Sequence, residues 1–230
     1  GLIGISINGV QGAMVEINSE TDFVARNELF QNFVKNCSNL VLSHKSDINT
    51  IKKLPFPNTG RSVDQELNNN IATIGENMNI RRAEYIEVSE GVLVSYIHNK
   101  VTEDLGKLGV IVAIESQAKD DQLLVVGKQI AMHIAATSPK ALNIDDLDRD
   151  LVEREKEVLI DQAVSTGKPK EIAEKMVQAR LQKFFQEVVL NEQISVIDGE
   201  TKIKDIIKKL SIDLDTDVMI KDFVILKLGE

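Results

Sequence analysis

Aromatic residues are scarce: the chain has no tryptophan, two tyrosines and seven phenylalanines among 230 residues, so a phenylalanine in a polar stretch needs a reason. One cysteine, Cys37, excludes an internal disulfide and a multi-cysteine zinc site, which fits a reducing compartment, by default the cytoplasm. The three histidines, His44, His98 and His133, are dispersed without paired metal-ligand spacing, and neither a metal nor a cofactor is expected. No apolar run approaches the roughly 20 residues of a membrane span. Bases are outnumbered, 27 against 36 acids, for a net charge of -9, and no Lys/Arg block interleaves with aromatics, so direct nucleic-acid binding is not expected. The Gly-Lys pairs at Gly106, Gly127 and Gly167 lack the Ser or Thr of a phosphate-binding loop, and no G-x-S-x-G elbow supports a hydrolase. Covalent catalysis is therefore not expected. The opening "GLIGISINGV" has no basic leader and reads as a strand, as if the chain were cut just ahead of folded structure.

Beyond these absences the chain repeats itself. "GLIGISING" (Gly1 to Gly9) resembles "GVLVSYIHN" (Gly91 to Asn99), each an apolar strand opening on glycine and followed by a second strand. In the first copy Asn8-Gly9 predicts a tight hairpin turn; in the second the longer "NKVTEDLGKL" joins the strands. Beyond that loop the copies share one register, offset by 97, so that Ile17 matches Ile114, and Phe33, Val34 and Cys37 match Ile130, Ala131 and Ile134. Ser62 with Gln65 predicts a capping box for a helix carrying Val63, Leu67, Ile71 and Ile74 and closed by Gly75, ahead of the strand "NIRRAEYIEV". In the second copy Thr201 can cap "KIKDIIKKL", and "DVMIKDFVILKLG" is the closing strand.

Each half thus reads hairpin, helix, helix, strand, an α+β fold of two repeated subdomains, each an antiparallel sheet with helices on one face. The first subdomain is expected over 1–88 and the second over 89–144 and 191–230. Residues 145–190 have no counterpart in the first half and predict an inserted antiparallel helical hairpin, a short coiled coil. Its seam is expected at Leu151, Val158 and Leu159 against Ile172, Met176 and Leu181, with Gly167 ending one arm and Pro169 in the first turn of the next. Arms of roughly 20 residues would project about 30 Å.

Two residues carry open readings. If one helix ran from Thr21 to Leu40, Phe23 would share a face with Phe30 and Cys37 and lie in the core. If Asn27 instead caps a fresh helix, "TDFVAR" is a separate turn with Asp22 and Phe23 near the surface. The repeat favours the second reading, because the position matching Phe23 is Asp120. His133 falls roughly 80° from the centre of the helix face formed by Leu123, Gly127, Ile130 and Ile134, which makes it a flank residue. There it is either a half-buried histidine bonded to nearby backbone or a contact residue; Asn36 at the matching position shows that the repeat does not demand histidine for packing.

"VEINSETDFVARN" (Val15 to Asn27), "IGENMNIRR" (Ile74 to Arg82), "IAMHIAA" (Ile130 to Ala136) and "GKPKEIAEKMVQAR" (Gly167 to Arg180) together resemble the elongation factor Ts family, the nucleotide exchange factors of elongation factor Tu. The resemblance covers nearly the whole chain in the expected order. Ala179 stands where the family usually has glycine. The family's N-terminal ubiquitin-associated-like module has no counterpart, which implies a core fragment, and "FVILKLGE" keeps the family's Phe and Gly-Glu but not its usual Arg and Glu.

The resemblance implies partner contacts by Thr21, Asp22, Phe23 and Val24, by Leu108 and Gly109, and by His133. Asp22 and Phe23 would enter the GTPase beside its Mg²⁺ site, and His133 would press toward the phosphate-binding loop. It also implies a factor without covalent chemistry, self-association through the helical hairpin in some members, and a cytoplasmic protein of bacterial type, with an organellar one as the alternative. The competing reading is an interaction or dimerisation module that binds without accelerating nucleotide release.

Overall fold

The computed structural model describes residues 1–118, 121–165, 167 and 169–230. Along the chain run β1 (Leu2–Asn8), β2 (Gln11–Ser19), α1 (Glu28–His44), α2 (Ile48–Ile51), α3 (Val63–Ile74), β3 (Met78–Glu87), β4 (Gly91–His98), β5 (Leu105–Gly106), β6 (Leu108–Ser116), α4 (Asp121–Thr137), α5 (Arg149–Ser165), α6 (Lys170–Val188), α7 (Ile203–Asp213) and β7 (Val218–Lys227). The strands form two antiparallel sheets, ordered β3-β2-β1-β5 and β4-β6-β7. This is the expected α+β arrangement. Contacts group the chain into two units, Gly1–Ala135 with Leu214–Glu230, and Ala136–Asp213.

The repeat is visible down to an irregularity. In the first sheet β3 carries one extra residue, Arg81, between Ile80 opposite Ile17 and Arg82 opposite Glu16. In the second, β7 carries Lys221 between Ile220 opposite Ile114 and Asp222 opposite Ala113. Both bulges sit at the same place in the register of 97, and a bulge bends its strand and raises the local twist.

Strand β2 is buried on both faces, and its alternation divides the core. Ala13, Val15 and Ile17 pack under α1 and α3 with Phe30, Phe33, Cys37 and Leu67. Met14 faces the other way, into a cluster shared by the two sheets through Ile3, Ile5, Leu93, Ile97, Ile111 and Leu226. The sheets approach closely enough that a Cβ on Gly109 would lie 2.9 Å from Ile3 Cγ2 and 3.0 Å from Ile5 Cδ1 and Met14 Sδ. Gly109→Val should therefore overpack this layer and lower stability by about 1–3 kcal/mol in urea unfolding. An unchanged midpoint would mean that the layer is loose.

Several local signals appear as read. Asn27 caps α1, its side chain accepting from Leu29 N and Phe30 N, and Ser62 and Gln65 form a capping box ahead of α3, which Gly75 closes at φ 81. Others differ. The first hairpin loop is Gly9-Val10 rather than Asn8-Gly9, with Gly9 at φ 58; glycine at the first loop position with positive φ is the II′ solution, and Asn8 stays in the strand. Helix α7 starts at Ile203, so Lys202 rather than Thr201 precedes it.

The loop that joins β4 to β6 is not a plain connection. Its Leu105-Gly106 forms β5, which pairs with Gly4 and Ile3 at the free edge of β1, and Ile5 N donates to Asp104 O at 3.0 Å. Asp120, matched to Phe23 by the repeat, lies outside the described residues.

In the second unit α5 and α6 form the inserted hairpin, of 17 and 19 residues. Gly167 adopts φ 65 after α5, and Pro169 occupies the N-cap of α6 rather than its first turn; Thr166 and Lys168, on either side of Gly167, lie outside the described residues. Leu151 and Leu181 join the base cluster with Leu147, Phe185 and Val189, but the buried residues of α5 are Leu159 and Ala163, one turn apart. Val158, next to Leu159, is rotated about 100° off that line, and both it and Ile172 are exposed, against the expected seam.

Candidate functional site

Beyond Ser19, strand β2 gives way to a loop, Glu20-Thr21-Asp22-Phe23, followed by a single 3₁₀ turn at Val24–Arg26 and then by α1. The turn closes through Arg26 N donating to Phe23 O at 3.1 Å and Asn27 N donating to Val24 O at 2.9 Å. Gln31 Nε2 donates to Ala25 O at 2.8 Å, tying the turn to the helix it precedes. Val24 and Ala25 point into the core, while Phe23 is 82% exposed. The one-helix reading of Phe23 is thereby excluded: Phe30 and Cys37 are buried as it required, but Asn27 restarts the helix and leaves Phe23 outside.

The loop is bonded on both flanks. Thr21 N and Oγ1 donate to Glu76 at 2.9 and 2.6 Å, and Asn77 N donates to Glu20 Oε2 at 3.3 Å. On the other flank Lys107 Nζ donates to Asp22 Oδ1 at 2.6 Å. The hydrogen bond and charge of Lys107 hold the Asp22 carboxyl below the usual range, so Asp22 is an anion at neutral pH.

The remaining sequence candidates lie inside. Leu108 and Gly109 begin β6 and are buried, Gly109 against the facing sheet. His133, expected on the flank of α4, is 0% exposed and counts among the buried residues of that helix with Ile130, Ala131 and Ile134. The buried face of α4 is broader than one stripe: it takes in a position about 80° from its centre, roughly a quarter turn.

Three charged residues had no place in the sequence reading. Glu76 and Lys107 flank the loop as described. Glu16 is fully buried at the end of the inter-sheet face of β2, accepting from Arg81 at 3.0 Å, Arg82 at 2.5 Å and Gly229 N at 3.1 Å. Neighbouring strand residues normally point to opposite faces; the bulge at Arg81 lets two consecutive arginines reach one carboxylate. Burial pushes the Glu16 carboxyl up, but the Gly229 N–H and the two guanidiniums outweigh it and hold it low.

Cys37 is buried and burial pushes its thiol up, so it is no nucleophile. Among the described residues no three or more His, Cys, Asp or Glu side chains group so as to hold a metal, and no helix is long and apolar enough to cross a membrane. The loop presents an exposed aromatic on a frame bonded at both flanks.

The family model described as "Elongation factor TS" matches residues 20–230. Over 230 residues, covering 100% of this chain and 75% of the relative, the chain is 48% identical to an elongation factor Ts of Rhodospirillum centenum and 50% identical to one of Zymomonas mobilis. An elongation factor Ts of Rickettsia bellii is 46% identical over 231 residues, 100% of this chain and 74% of the relative. With the exposed Asp22-Phe23 loop lying in the stretch that first suggested the resemblance, and with the match extending across the two repeats and the hairpin, the chain belongs to the elongation factor Ts family.

Proposed function

We propose that this chain is a guanine nucleotide exchange factor for elongation factor Tu and that Asp22-Phe23 is the element it inserts beside the Mg²⁺ site of the GTPase. The observation that supports this reading most is the exposure of Phe23. Burying a phenylalanine side chain releases about 1.5–3 kcal/mol. At 82% exposure Phe23 keeps nearly all of that in reserve for a partner.

The free-energy logic is reciprocal coupling. A factor that binds the nucleotide-free GTPase better than the GDP-bound form must weaken GDP by the same factor, and a ~100-fold weakening corresponds to about 2.7 kcal/mol. Insertion of one aromatic side chain is of the right size to supply much of it. Thr21, Asp22 and Phe23 make the direct contact in this reading, seated by the buried Val24; Leu108, Gly109 and His133, all buried, would act through the packing behind separate parts of the surface.

The test is release of a fluorescent GDP analogue from elongation factor Tu with and without the chain. Acceleration supports exchange. Binding without acceleration would leave the interaction-module reading, and no binding would overturn both.

A second contact is favoured by the hairpin. Ile160 and Val164 on α5, one turn apart, stay exposed beside Ala173 and Val177 of α6, lining a groove of about 530 Å³. In this reading two copies associate through that face. V164K, which places a charge on a residue 67% exposed, should shift sedimentation from dimer to monomer without changing GDP release. A wild-type chain that stays monomeric at every concentration would contradict the self-association.

A further inference from the structure

The loop that carries Phe23 is short, polar and on the surface, the usual setting of a mobile segment. Yet its hydrogen bonds come from two places far apart in the chain. Glu76 follows Gly75, whose φ of 81 ends α3 and turns the backbone, so that the next residue faces the loop. There one carboxylate accepts both the N–H and the hydroxyl of Thr21, while Glu20 accepts the N–H of Asn77 in return.

Lys107 comes from the opposite side, and its backbone is fixed before its side chain is considered. Its N–H donates to His98 O at 3.2 Å and its carbonyl accepts from Leu228 N at 3.0 Å. From that anchor, between β5 and β6, its ammonium reaches Asp22 Oδ1 at 2.6 Å and Gly1 O at 3.2 Å. Lys107 is there only because the β4-to-β6 loop crosses to the edge of the first sheet.

We propose that Glu76 and Lys107 are positioning residues for exchange, bracing Thr21 and Asp22 from both sides so that Phe23 is presented in one orientation before a partner arrives. The proposal rests on the exchange reading above. A braced tip loses little conformational freedom on insertion, whereas an unbraced one must be ordered during the step that displaces GDP. Exposed polar pairs of this kind add little to folding. Their removal should therefore leave the fold intact and show up in the rate.

Lys107→Met and Glu76→Ala should each lower the maximal rate of GDP release from elongation factor Tu about three- to tenfold, with the half-saturating concentration changing less than about twofold. Lys107→Arg, which keeps a charged donor, should recover the rate to within about twofold. In the free chain, Glu76→Ala should raise hydrogen exchange at the Thr21 amide about tenfold while urea unfolding stays unchanged. Should Glu76→Ala fail to fold, Thr21→Val removes the hydroxyl half of the same contact and should give a smaller loss of rate.

Wild-type rates in both variants, alongside a slow Phe23→Ala, would overturn the brace and leave the exchange reading standing. Unchanged Thr21 exchange in Glu76→Ala would overturn it without reference to any partner. No acceleration by the wild-type chain would instead remove the exchange reading on which the proposal depends.

Discussion

Phe23→Ala is expected to lower the maximal rate of GDP release by at least about tenfold, equivalent to about 1.4 kcal/mol of activation free energy, while leaving the fold as stable as the parent. The two halves of that expectation come from one number. A side chain 82% exposed contributes little buried area to the folded chain, so its truncation belongs with surface changes, within about 0.5 kcal/mol. Val24 and Ala25, its buried neighbours, keep the turn seated whatever stands at position 23. Kinetics by stopped flow and stability by urea unfolding on the same preparations read the two effects separately. A variant that unfolds would mean that Phe23 serves the fold; one that exchanges normally would mean that the loop is not the active element.

Glu16→Gln should be strongly destabilising. The substitution leaves Arg81 and Arg82 facing a neutral amide whose NH₂ group cannot accept from them. Breaking a buried ion pair costs roughly 3–5 kcal/mol, and the arginines here retain 36% and 31% exposure, so about 2–3 kcal/mol is expected. The pH dependence follows from the low carboxyl. A group whose folded pKa lies below its unfolded value of about 4.3 stabilises the fold at higher pH and loses that contribution as pH falls through the folded value. The parent should thus lose stability faster than Glu16→Gln between about pH 5 and pH 3, and the two unfolding free energies should converge at the acid end. Parallel curves would show that the Arg81–Arg82–Glu16 cluster contributes nothing to acid sensitivity.

What could be read in the sequence was local or periodic. The offset of 97 between Ile17 and Ile114 led to two sheets whose matched strands share register and bulge, and capping chemistry at Asn27, Ser62 and Gly75 marked helix ends correctly because each is decided within four residues. Asn27 in particular separated the Phe23 turn from α1. The residues that flank the loop were not legible, since Lys107 acts through pairing of β5 with β1 across the repeats, a long-range contact that leaves no periodic trace. Glu16 was hidden for a different reason. Its two arginines are adjacent in sequence, where an unbroken strand would point them apart, and only the bulge brings them together. Val158 was misplaced by one residue's rotation from the buried Leu159, and His133 because the buried face of α4 is wider than the stripe read from Leu123, Gly127, Ile130 and Ile134.

The most direct test of the central claim is the rate of GDP release from elongation factor Tu as a function of Mg²⁺, measured with the parent chain and with Phe23→Ala. If Phe23 acts on the metal site, acceleration by the parent shrinks as Mg²⁺ rises, and Phe23→Ala gives a small acceleration that Mg²⁺ hardly changes. A parent acceleration independent of Mg²⁺, or one retained in full by Phe23→Ala, would contradict the account.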